Sequence, residues 1–142
     1  MSKNIFIDAN ILIDIMGISR PFHKESLKTM HWLIKEGCKL FTSCDIMTTV
    51  YYINTRENKK QALQNIMYIN TLCHVIEFSN DEITQTCELM LKDRDYTDLE
   101  DTIQYILALK EDCELILTND KNFVSKEIPT ISSEKFLRKF KI

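Results

Sequence analysis

Ile5-Phe6-Ile7 and Leu115-Ile116-Leu117 are short, uninterrupted apolar runs, the pattern of strands covered on both faces in a parallel sheet. Each ends in polar residues: Asp8 after the first, Thr118-Asn119-Asp120 after the second. Weaker strand signals lie at Lys39 to Thr42, at His74 to Phe78, and at an edge near Pro129 to Ile131. Between these runs the apolar positions recur at helical spacing. Ile11, Leu12 and Ile15 form the first such face, with Asn10 placed to cap its helix. A second helix, about Pro21 to Glu36, turns Leu27, Met30, His31 and Ile34 inward and stops before Gly37. Ser43 is placed to cap a third, with Ile46, Met47, Val50, Tyr51 and Ile53 on its buried side. A fourth, about Lys59 to Leu72, buries Leu63, Ile66, Met67 and Ile69; a fifth, from Asn80-Asp81, buries Ile83, Cys87, Met90 and Leu91. The acidic connection Lys92 to Asp98 leads into a helix carrying Ile103, Ile106, Leu107 and Leu109, and Ser133 caps the last. Strands alternating with helices predict parallel neighbours, because a parallel pair needs a crossover connection. The expected fold is α/β, a mostly parallel sheet with helices on both faces, in one domain over residues 1–142.

Composition narrows the function classes. Hydrophobic residues make up 44% and charged residues 27%, and no apolar run approaches the ~20 residues that span a bilayer. The apolar start is broken by Asp8 and Asp14 and lacks a basic leader, so a cytoplasmic protein without membrane contact is expected. Cys38, Cys44, Cys73, Cys87 and Cys113 are odd in number and scattered, which predicts reduced, mostly buried thiols. His23, His31 and His74 show no metal-ligand spacing, and two glycines, Gly17 and Gly37, exclude a GxGxxG or Walker cradle. The net charge is −3, yet Arg56 to Lys60 and the group Lys135, Arg138, Lys139 and Lys141 are locally basic and are candidates for phosphate contact.

The chemistry lies in acids at strand ends and at one helix start. Ligands of open α/β sheets bind in the crevice beyond the carboxyl ends of the strands. If the two apolar strands are neighbours, Asp8 and Asp120 emerge there side by side. Asp98-Leu99-Glu100-Asp101 opens a helix, with Asp98 and Asp101 on neighbouring positions of its first turn. Taken singly, such acids suit a helix dipole or a turn. Gathered together they repel by several kcal/mol unless a divalent cation sits among them, so a hard-metal site is expected.

The segments IFIDANILID, Ser-x-x-x-x-x-Thr-x-Tyr-Tyr from Ser43, DLEDTIQYILAL and ILTNDKNF together resemble the PIN-domain family of ribonucleases, especially the VapC-type toxins of bacterial toxin–antitoxin pairs. The resemblance covers essentially the whole chain. It implies a three-layer α/β/α sandwich on a five-stranded parallel sheet, and Mg²⁺- or Mn²⁺-dependent hydrolysis of an RNA substrate. In the toxin branch it also implies a homodimer neutralised by a small antitoxin protein. Carried over by position, Asp8, Asp101 and Asp120 match the family's metal-binding acids, with Asp98 and Glu100 accompanying Asp101. Asn10 matches the family's supporting polar residue, and Thr118 and Thr49 are further supporting candidates. One position departs: the family places a glutamate on the helix after the second strand, and this chain has Thr49, a poorer ligand, with Glu100 or Asp98 as compensating carboxylates. Lys121, Lys126 and the C-terminal basic group are the expected substrate contacts. Two alternatives stay open. A haloacid-dehalogenase-like phosphatase would want an acid where this chain has Asn10. A non-catalytic PIN-type module that binds RNA or protein would tolerate Thr49.

Overall fold

The computed structural model describes residues 3–54 and 58–142; Arg56, within the basic Arg56 to Lys60 stretch, lies outside them. The strands are β1 (Asn4–Ile7), β2 (Lys39–Ser43), β3 (His74–Ile76), β4 (Leu115–Leu117) and β5 (Thr130–Ile131). They form one all-parallel sheet in the order β3-β2-β1-β4-β5. The central strand β1 has neighbours on both edges and helices over both faces, which is why Phe6 and Ile7 have no exposed surface and the run carries no alternation.

Seven helices accompany the strands among the described residues: α1 (Ala9–Met16), α2 (His23–Lys35), α3 (Cys44–Asn54), α4 (Lys59–Leu72), α5 (Asn80–Lys92), α6 (Leu99–Lys110) and α7 (Ser133–Phe140). The chain steps outward from β1 through β2 to β3, then returns across the sheet to β4. Right-handed crossovers in opposite directions put the two sets of helices on opposite faces. Accordingly α1 packs on α2 and α3, α3 on α4 and α2 on α7, while α5 pairs with α6 on the other side. The result is a three-layer α/β/α sandwich. The direction of winding reverses between β1 and β4, so the crevice that such folds use for ligands opens beyond Ile7 and Leu117.

Element ends coincide with their local sequence signals at some positions and are shifted at others. Gly37 takes φ +76 just past α2, and its N–H and that of Cys38 close onto Ile34 and Leu33 carbonyls. Helix α2 begins at His23 rather than Pro21, because Arg20 is drawn back to Asp14 and residues 17–22 close as turns. Asp8, not Asn10, caps α1, and Ser132, not Ser133, caps α7. Ser43 is the last residue of β2, with its hydroxyl donated to Asp45. The strand expected over His74 to Phe78 stops at Ile76, and β5 is shorter than Pro129 to Ile131.

Several helix faces also differ. On α2 the buried residues are Ser26, Thr29, Met30 and Leu33, with His31 and Ile34 outside. On α5 only Thr86 is fully buried, and Leu91 is 85% exposed. On α3 and α4, Ile53, Leu63 and Met67 lie exposed while Ile46, Val50, Ala62 and Ile69 face the core. On each of these helices only a narrow stripe faces the core, and the remaining apolar residues stay in water. Among the cysteines, all free, only Cys73 and Cys113 are buried, and burial pushes both thiols up to about 12; Cys44 and Cys87 are exposed, against expectation. No helix among the described residues is long and apolar enough to cross a membrane.

The shifted faces are testable by urea denaturation. Ile69→Ala, at a site with no exposed surface, is expected to cost about 2–5 kcal/mol, whereas Leu91→Ala is expected to stay within about 0.5 kcal/mol of the parent. Similar losses from both would return Leu91 to the core.

Candidate active site

The crevice is floored by Asp8. Pairing of Ile7 with Leu117 in the β1–β4 ladder sets Asp8 beside Thr118, and the Asp8 N–H continues the ladder to the Leu117 carbonyl at 3.0 Å. The Asp8 carboxylate is 4% exposed and accepts three hydrogen bonds: from Ala9 N at 2.7 Å, from Thr118 Oγ1 at 2.7 Å and from Asn10 Nδ2 at 3.0 Å. Burial nevertheless raises its pKa; the three donors oppose that rise and the Asp120 carboxylate adds to it. Thr118 is the hinge of this cluster, because its hydroxyl oxygen also accepts from Asn10 Nδ2 and from the Asp120 N–H, both at 3.1 Å.

Asp101 stands in the first turn of α6 and is half-buried. Its carboxylate accepts no hydrogen bond among the described residues. Desolvation, followed by the charges of Asp8, Asp98, Asp120 and Glu100, pushes it up to about 7. The topology therefore brings the strand-end acids and the helix-start acids together, as the sequence led one to expect. Their roles in the fold differ. Asp98 is exposed and caps α6, its Oδ1 accepting from the Asp101 N–H at 2.9 Å. Asp120 is partly exposed, and its Oδ1 accepts from Asn122 N at 2.9 Å in a turn. Glu100 is raised by desolvation and then by Asp45 and Asp98.

Asp45 was not foreseen. It lies in the first turn of α3, holds the Ser43 hydroxyl and faces Glu100, so α3 supplies a carboxylate one turn before Thr49. Thr49 is half-buried with its hydroxyl donated back to the Asp45 carbonyl at 3.2 Å. The acid two residues after Ser43 was the available signal. Asn119 was missed as well, because an Asn in a turn carries no pattern. Its amide donates to Asp14 at 2.9 Å and Ser26 at 3.2 Å, and its carbonyl oxygen accepts from the Ser133 N–H at 2.9 Å and hydroxyl at 3.0 Å. Asn10 Oδ1 in turn accepts from the Asn119 N–H at 2.9 Å. This buried polar layer locks β4, α1, α2 and α7 beneath the acids. Lys126, an expected substrate contact, bridges Asp93 and Asp95 at 2.8 and 2.7 Å, and its backbone N–H reaches the Tyr96 hydroxyl.

The chain matches the PIN domain family over residues 4–122, a stretch that holds every one of these acids. It belongs to the PIN-domain family. It is 40% identical over 139 residues to Ribonuclease VapC1 of Aquifex aeolicus, covering 98% of this chain and 96% of that protein. Among solved structures it resembles VapBC2 of Rickettsia felis, a structure with bound promoter DNA, with TM-score 0.72, 15% identity, and coverage of 91% and 98% of the two chains. It also resembles VapC20 of Mycobacterium tuberculosis, described as a sarcin-ricin loop cleaving toxin, with TM-score 0.68, 15% identity, and coverage of 84% and 92%. At that identity the two structures speak for the fold alone.

In this PIN domain, no group of three or more acidic, histidine or cysteine side chains among the described residues is arranged to hold a metal ion by itself. The donor set suits a hard cation of another kind. A magnesium ion keeps several waters and needs only one or two carboxylates, and Asp101 presents free lone pairs under the repulsion of four neighbouring acids.

Two stability measurements probe this arrangement. Asp101 has an ordinary pKa of 3.8 and one of about 7 when folded, so the folded state binds more protons in between. Its penalty is absent at low pH, grows through that window and is complete above about 7. Asp101→Asn in chelator is therefore expected to melt higher than the parent at about pH 7.5, with the gap closing towards about pH 5; an equal or lower melting temperature at the higher pH would refute the repulsion. Asn119→Ala should cost roughly 1–3 kcal/mol for each buried partner left unpaired, read from urea curves.

Proposed function

We propose that this PIN domain is a divalent-cation-dependent endoribonuclease that hydrolyses phosphodiester bonds of RNA, and the toxin of a toxin–antitoxin pair. The observation that carries the reading is Asp101: a carboxylate without hydrogen bonds among the described residues, raised by desolvation and then by acids just past β1 and β4 and at the start of its own helix, at the switch point of a sheet whose chain is 40% identical to a ribonuclease. Asp8 and Asp101 would hold Mg²⁺ or Mn²⁺ directly and Asp120 directly or through water, with Glu100 and Asp45 on the α3 side. When bound, the cation supplies an activated water at neutral pH and neutralises charge growing on the phosphate. Asp8 is fixed for this by Thr118 and Asn10, which leave its carboxylate one orientation. Asp98 positions Asp101 through the cap rather than by touching the reacting atoms. Four or more acids around the crevice repel an incoming phosphate, so substrate approach depends on the cation and on basic groups at the rim.

The antitoxin and homodimer readings draw support from exposed apolar residues on α3 and α4, where Ile53, Leu63, Met67 and Tyr68 are 43–69% exposed. Thr49 in place of a carboxylate favours one second reading, a PIN module that binds RNA without cutting it.

Cleavage of single-stranded RNA with Mn²⁺ or Mg²⁺ decides between them. The parent is expected to cut and to lose activity in chelator. Asp8→Asn and Asp101→Asn should each lower the rate by more than the roughly 10–100-fold typical of an outer-shell loss, and Thr49→Glu should be neutral or faster. In the same preparation, cation at about 100 times its dissociation constant should add roughly 2.7 kcal/mol of stability. Unaltered cutting by either Asn variant removes the assignment, and binding without cutting by the parent selects the second reading.

A further inference from the structure

A cavity of about 520 Å³ opens directly beside Asp120, between the turn that carries Phe22 and the first turns of α7. Phe22 forms one wall and Lys121, Lys135 and Arg138 line it too, so an aromatic face and three cations share one pocket with an acid of the proposed centre. The volume falls in the roughly 300–1,000 Å³ range of small-ligand sites.

Phe22 is 42% exposed, yet its turn is held firmly. On one side Arg20 Nε lies 2.7 Å from Asp14 Oδ1; on the other His23 Nδ1 lies 2.9 Å from the Asp14 carbonyl oxygen, and Asp14 is itself buried. An aromatic ring left in water on an anchored turn loses little conformational freedom when a flat partner stacks on it. The cations that share the cavity are available. Lys121 and Lys135 make no ion pair among the described residues, and Arg138 has only exposed Glu134, also on the cavity rim, at 3.8 Å, a pair worth little in water.

An aromatic platform sharing a cavity with cations is the chemistry that recognises a splayed nucleotide of single-stranded RNA, whose base stacks while its phosphate is neutralised. A base within a duplex is already stacked and offers no free face. We propose that this cavity is the subsite for the nucleotide adjoining the scissile phosphate, with Phe22 stacking on the base and Lys135 and Arg138 holding the flanking phosphates. The proposal rests on the ribonuclease reading and adds to it a second place that grips the strand. Lys135 and Arg138 lie beyond the residues that match the PIN family.

The test uses the full chain carrying Asp8→Asn, so that RNA is not consumed, with Mg²⁺ and a fluorescein-labelled single-stranded oligoribonucleotide read by anisotropy. Adding Phe22→Ala is expected to weaken binding by about five-fold or more, the loss of one stacked base, and Phe22→Trp to retain it. Lys135→Ala with Arg138→Ala is expected to reduce the salt slope by about 1.4, two phosphates at about 0.7 each. An oligomer of the same length built from abasic units should not distinguish Phe22 from Ala. Equal binding by the Phe22→Ala protein and its background, where the parent chain cuts RNA, overturns the subsite and leaves the nuclease standing. A parent that neither binds nor cuts RNA overturns both.

Discussion

A carboxylate buried at the end of a central strand is tolerated only when its oxygens are hydrogen-bonded, and the fold is arranged around meeting that demand at Asp8. Its donors come from the first turn of α1 and from Thr118 just past β4, 110 positions along the chain from Asp8. Meeting it therefore fixes how α1 leaves β1 and which strand lies alongside. The polar layer beneath extends the same logic, since Asn119 satisfies Asp14, Ser26 and Ser133 together and so pins two helices and the C-terminal helix to one strand end.

With that floor in place the remaining acids divide the work. Asp8 and Asp98 spend their oxygens on the protein, one on three donors and one on a helix cap. Asp101 spends none among the described residues, and its raised pKa marks desolvation first and then a repulsion that the fold leaves uncompensated. Strain of this sort lowers stability and persists where the site has another use for it. Desolvation leads the causes at both Asp8 and Asp101, so the crevice is a place of low dielectric where added positive charge counts for more than at the surface.

Basic residues show a parallel division. Lys126 fastens the connection before Asp98 to the loop after Asp120, with Tyr96 under it, and so acts on the position of the acids. The cations that face open space lie on the other flank, along α7 and at Lys121, next to the exposed ring of Phe22. The two flanks of the crevice thus differ in kind, one tied down and one open.

Much of this was legible in the linear pattern. Uninterrupted apolar runs marked β1 and β4 because strands covered on both faces need no alternation, and acids directly after them marked the crevice. The motifs singled out Asp8, Asp101 and Asp120 for the same reason: they sit at element ends whose local signals are strong. Helix faces were another matter. His31, Ile34, Ile83 and Leu91 fit an apolar stripe as well as Ser26, Thr29 and Thr86 do not, yet the small hydroxyl residues are the buried ones. Ser26 and Thr29 have polar partners inside, at Asn119 and Ser133, that no periodicity can announce. Asp45 and Asn119 stayed hidden because their partners, Glu100, Asp14 and Ser133, lie on other elements. Local composition decides which segments are strands and where each ends. Which residues meet across those ends depends on strand order, and that is decided only when crossovers close over long separations and every buried polar group must find its partner.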